Sequence, residues 1–179
     1  MPQLLALLAD GPNPVPPAYR RSAAFSVSRL LAEESKNREE FLSVLLPEIH
    51  RPFIQATELS PRDDIPERKK FGATDCISTL QTILTNTDPS PALLSTVFTP
   101  IASALYAILG CLDLKRTTDP ALKETVKGLL GTWSRIVLVQ EVEEVCWGII
   151  EEEGGYWKVD IAGEIIQIAR YSIHRVLTR

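Results

Sequence analysis

The chain has few of the side chains that do chemistry: two histidines, three cysteines and one methionine among 179 residues. His50 and His174 stand far apart, and neither belongs to an H-E-x-x-H motif or another ligand spacing. Cys76, Cys111 and Cys146 are isolated, so the short Cys pairs of a structural zinc site are missing. Their odd number, with no N-x-S/T site and no secretory leader, points to a reducing compartment and to three buried, inert thiols. There is no G-x-S-x-G elbow and no Gly-rich loop after a strand, so neither an activated serine nor a phosphate cradle is indicated. The expectation is a non-enzyme with no metal and no cofactor.

Positive charge is also in short supply. There are 19 Lys and Arg against 23 Asp and Glu, a net charge of −4. Phosphate binding needs the opposite balance, which argues against nucleic acid as the main partner. No uninterrupted apolar run reaches the roughly 20 residues that cross a bilayer, so no membrane span is expected. No alternating run suggests a sheet. The chain is 45% apolar and 23% charged, ordinary values for a folded protein. Its length suits a single unit over 1–179, read as one segment of a longer solenoid.

What the chain does have is helical periodicity. In TDPALKETVKGLLGTWSRIV, 118–137, the apolar residues Leu122, Val126, Leu129, Leu130, Trp133, Ile136 and Val137 recur at gaps of three and four. Asp119 offers an N-cap and Pro120 a pre-set first turn; Asp88-Pro89 offers the same pair for the preceding helix. The remaining helices are expected over 3–9, 18–34, 39–56, 74–86, 91–112, 139–152 and 159–177. Pro47 and Pro52 should kink or break the 39–56 helix, and Pro100 should bend the 91–112 helix. GPNPVPP at 11–17 and the charged stretch 57–72 read as loops. The last helix has Ile165, Ile166, Ala169, Ile173, Val176 and Leu177 on one face and Ile161, Ile168 and Tyr171 on another. It therefore reads as an internal solenoid helix that lacks a neighbour, which predicts self-association. Short connections predict antiparallel helix pairs, hence an all-α fold of stacked hairpins.

Candidate contact residues are few. Arg68, Lys69 and Lys70 form a small basic group beside Glu67. Trp147 stands one place beyond the Val142/Cys146/Ile149 face and suits an interface anchor. Trp157, after Gly154-Gly155, reads equally as a contact residue and as a staple from loop to core. Trp133 belongs to the core by its periodicity. His50, between two prolines, reads as structural or solvated. Glu141, Glu143, Glu144 and Glu151 to Glu153 lack the spacing of a calcium loop and read as a solvated helix face.

Three segments carry a resemblance: KKFGATDCISTLQTILTNTDPSPALLSTVFTPIASALYAILGCLD, TDPALKETVKGLLGTWSRIV and CWGIIEEEGGYWKVDIAGEI. Their DPSP turn (88–91), ALY (104–106), DP-L-KE (119–124) and GLL-TW-RI (128–136) resemble the C-terminal part of the factors required for nuclear import and assembly of RNA polymerase II. The animal relatives of that family are called transport and Golgi organisation proteins. LLPEIHRPF, 45–53, fits as well. The resemblance implies a HEAT-type, armadillo-like α-solenoid without catalytic residues, a scaffold that binds polymerase II subunits and nuclear transport machinery. It implies a cytoplasmic location with shuttling to the nucleus. The alternative it carries is a scaffold in membrane traffic or Golgi organisation.

Overall fold

The computed structural model of the chain describes residues 7–8, 15–31, 35–36, 38–54, 72–114, 120–151, 154–160 and 163–168. The helices are α1 (Pro17–Leu31), α2 (Arg38–Ile54), α3 (Ala73–Thr85), α4 (Pro91–Phe98), α5 (Ala102–Leu114), α6 (Pro120–Ile136) and α7 (Val139–Ile150). A 3-10 turn, Thr99–Ile101, joins α4 to α5. Two short strands follow, β1 (Tyr156–Val159) and β2 (Ile165–Ile168). The fold is all-α in class, with a two-stranded hairpin attached.

Prolines set the helix starts and breaks. Ser90, not Asp88, caps α4: its Oγ accepts the Leu93 N–H at 3.2 Å, with Pro91 at the first helical position. Pro100 has no N–H, and the ladder tightens around it into the 3-10 turn. α2, by contrast, runs on through Pro47 and Pro52 as one helix. Pro52 leaves the Glu48 carbonyl without its helical donor, and the Cys76 thiol of α3 lies 4.0 Å from that oxygen as a weak donor. Pro120 opens α6 as expected; its proposed cap Asp119 lies outside the described residues, as do most of the 3–9 helix and the 57–71 loop.

The core is one cluster. It joins Ala24, Val27, Leu45, Ile49, Ile77, Leu80, Ile83, Leu94, Val97, Phe98, Ile101, Leu105, Ile108, Leu112, Val126 and Leu129. α3 packs against α1, α2 and α6, and α5 packs against α2, α6 and α7. The stretch Pro91–Leu114, read across the 3-10 turn, is 24 residues long and apolar enough to cross a membrane by length and composition, which corrects the expectation that no segment would qualify. About half of it is buried, and Leu94, Phe98, Ile101, Leu105 and Ile108 supply the centre of the core.

The helix expected over 159–177 is the main correction. Tyr156–Val159 and Ile165–Ile168 pair antiparallel, with Trp157 opposite Gln167 and Val159 opposite Ile165. Asp160 closes the turn: its N–H donates to the Glu164 carbonyl at 3.0 Å, and its Oδ1 accepts the Glu164 N–H at 2.9 Å. Gly163, at φ +88°, takes a left-handed conformation that a side chain disfavours. Half of the strand residues are β-branched and two more are aromatic, types that fit a half-buried pleat. The two-faced helix, and the self-association argued from it, therefore have no basis over 159–168; residues 169–179 lie outside the described ones.

β1 packs against α5, and β2 against α3. Gly154 permits this approach. A Cβ there would stand 2.3 Å from the Ser103 carbonyl oxygen of α5. The Gly154 carbonyl accepts the Trp157 indole N–H at 2.7 Å, and the Trp157 ring packs at 6.2 Å from that of Phe53 on α2.

Candidate interaction surface

α7 presents two faces. Glu141, Val142, Val145, Gly148 and Ile149 are buried or half-buried, toward α5 and the 3-10 turn. Val139, Glu143, Cys146, Trp147 and Ile150 are exposed, with Leu138 just before the helix. Trp147 is 59% exposed and Ile150 68%. The face expected to pack inward was Val142/Cys146/Ile149. Cys146 instead faces solvent, because Val145 and Gly148 take the inner positions. A solvent-facing row of large apolar side chains on one helix marks a contact surface more often than isolated exposed residues do. Glu143 lies inside this row, four residues from both Val139 and Trp147 and so on the same face. Glu144, Glu151 and Gln140 border it on one side, and α7 itself has no Lys or Arg.

A polar network fixes α7 beneath that face. The Trp133 indole N–H of α6 donates to Thr99 Oγ1 at 3.0 Å. Thr99 Oγ1 donates to Glu141 Oε2 at 2.9 Å, and Ser95 Oγ donates to the same carboxylate oxygen. Glu141 is thus a structural acceptor that ties α7 to α4 and, through Thr99, to α6. The other predicted contact residues fare differently. Trp157 is 8% exposed and serves as the staple from hairpin to core, so its ring is not offered to a partner. Arg68, Lys69 and Lys70 lie outside the described residues. Trp133 is buried, as its periodicity predicts.

His50 is structural. It is 6% exposed, and its Nε2 lies 2.8 Å from the Val97 carbonyl, beside the Pro100 break. That distance places the proton on Nε2. Burial pushes its pKa below the ordinary value, and the Val97 hydrogen bond acts the other way. A depressed folded-state value means that the unfolded chain takes up this proton first as the pH falls. Stability should therefore decline below about pH 6.5, by at most about 1.4 kcal/mol per pH unit, and level off at the folded value. In His50→Gln, which keeps an N–H donor, denaturant unfolding between pH 7 and 5 should lose this part of the slope. An unchanged slope would remove His50 as its source.

The three thiols also differ, which corrects the expectation that all are buried. Cys76 is buried, and burial with help from Asp75 pushes its thiol up to about 12. Cys111 is half-buried and Cys146 exposed. A thiol reagent on the folded chain should modify Cys146 first and Cys76 only on unfolding. Early labelling of Cys76 would contradict the packing of α3 on α2. No group of three or more His, Cys, Asp or Glu side chains placed to hold a metal exists among the described residues.

Comparison with known proteins returns no matching family model, no similar curated protein and no similar solved structure.

Proposed function

We propose that the chain is a helical-repeat interaction module without catalytic activity, which assists the assembly and nuclear import of RNA polymerase II. The observation that carries the reading is the apolar face of α7 around Trp147, held rigid from below by the Glu141 network and left open to solvent. The direction toward polymerase II comes from the resemblance over 69–165. The helices form two contacting rows, α1, α3 and α6 in one and α2, α5 and α7 in the other; the solenoid reading itself comes from the resemblance. Such rows present extended surfaces to protein partners. On this reading the protein works in the cytoplasm and shuttles to the nucleus with its cargo.

Affinity capture from cell extract tests it. Polymerase II subunits or nuclear transport proteins should be enriched over an unrelated helical-repeat domain. A well-folded chain that enriches neither removes the polymerase reading. One observation favours the second reading, a scaffold in membrane traffic: the long apolar stretch Pro91–Leu114. Against it, that stretch already packs against α2, α6 and α7, with Leu94, Phe98, Ile101, Leu105 and Ile108 buried. Enrichment of vesicle-coat or Golgi proteins in the same capture would support it instead.

A further inference from the structure

We propose that the outer face of α7 receives a basic amphipathic segment of a partner protein, with an Arg or Lys set against Glu143 and apolar side chains against Val139, Trp147 and Ile150. This rests on the interaction-module reading and names the chemistry of the partner. The decisive feature is the position of Glu143. It stands within the apolar row and not at its edge, so any partner that covers Trp147 and Ile150 also removes this carboxylate from water. A buried carboxylate without a cation is strongly unfavourable. A purely apolar partner is therefore a poor fit. A second copy meeting the same face about a two-fold axis would set this acidic face against an identical one, with no Lys or Arg on either α7 to answer Glu143, Glu144 and Glu151. Anionic lipid headgroups would meet the same repulsion. A guanidinium satisfies both features at once, because it can bond the carboxylate while its plane stacks on the exposed indole of Trp147.

Two synthetic peptides of equal length test this with the full chain. Both carry leucines at helical spacing; one has arginines and the other glutamates on the remaining positions. The arginine peptide should bind at least about tenfold more tightly, and its affinity should fall with added salt. Trp147→Ala should weaken it by about tenfold or more, as for a central aromatic anchor. Glu143→Lys should reverse the preference between the peptides. Both positions are exposed, and circular dichroism should show an unchanged fold. Equal binding of the two peptides, or an arginine preference that survives Glu143→Lys, overturns the proposal. So does a concentration-dependent dimer that Trp147→Ala abolishes in a chain that binds neither peptide. If the arginine peptide binds as described while capture from extract yields no polymerase subunit, the α7 site stands and the polymerase reading falls. If capture succeeds and the peptides are not distinguished, only the α7 proposal falls.

Discussion

Trp133→Ala is expected to lower the unfolding free energy by about 3–5 kcal/mol, the range for removing a large aromatic from a packed core. Trp133 is 5% exposed and belongs to the cluster that joins α6 to the rest of the core. Its truncation leaves a cavity that the neighbouring helices cannot close without moving. It also strips Thr99 Oγ1 of its indole donor, although Thr99 keeps its bond to Glu141. Trp133→Phe separates the two effects. It keeps most of the volume and loses the N–H, so the cost should be nearer 1 kcal/mol. Denaturant unfolding of both variants checks the point. A loss under about 1 kcal/mol for Trp133→Ala would mean that the α6 stripe does not face the core.

The second large effect is expected at a glycine. Gly154→Ala places a methyl group 2.3 Å from the Ser103 carbonyl oxygen and 3.0 Å from Ala107 Cβ. The first obstacle is backbone, so rotating a side chain gives no relief. Either α5 shifts or the hairpin lifts away. Overpacking of this kind costs about 1–3 kcal/mol, and the strain has a particular outlet here. Lifting the hairpin exposes Trp157, breaks its hydrogen bond to the Gly154 carbonyl and separates it from Phe53. Gly154→Ala should therefore shift part of the tryptophan emission to the red before global unfolding. A matched variant at Gly128, where a Cβ meets no atom within 4 Å, should be neutral to slightly stabilising in its helix. A Gly154→Ala chain as stable as the parent would contradict the close docking of the hairpin on α5.

These two sites differ in how far the residues disclose them. The Trp133 stripe is legible because its gaps of three and four select one face along the whole of α6. The stripes of α3 and of the α4–α5 pair are legible for the same reason, and Pro100 marks the break between the latter. α7 is harder. Its apolar residues form two stripes, and periodicity does not say which of them meets the core. The Glu141 network decides that, and it depends on Ser95 of α4 and Thr99 of the 3-10 turn. Ser90 over Asp88 as the cap was open to local reasoning, since Pro91 belongs one place after the cap.

The hairpin shows the opposite failure. Ile165, Ile166, Ala169 and Ile173 satisfy a helical spacing, but Val159, Ile165, Ile166 and Ile168 are also the β-branched residues of a strand pair. The signal that separates the two is Gly163 between them, with Asp160 placed to close the turn. Short apolar runs carry both periods, and only the turn chemistry separates them. The role of Trp157 depends on the same turn: on a strand docked through Gly154 it is buried in the core. The exposure of Trp147 had a sequence signal, its offset from the inner stripe, yet only the packing of α7 on α5 shows how much of the ring remains open.

Direct binding of purified polymerase II subunits to the folded chain is the measurement that bears most closely on the central claim. The chain should bind one or more of them in titration, and Trp147→Ala should weaken that binding by about tenfold with no loss of thermal stability. Absence of binding by the intact, folded chain, or binding indifferent to Trp147→Ala, would contradict a polymerase-assembly module that works through the outer face of α7.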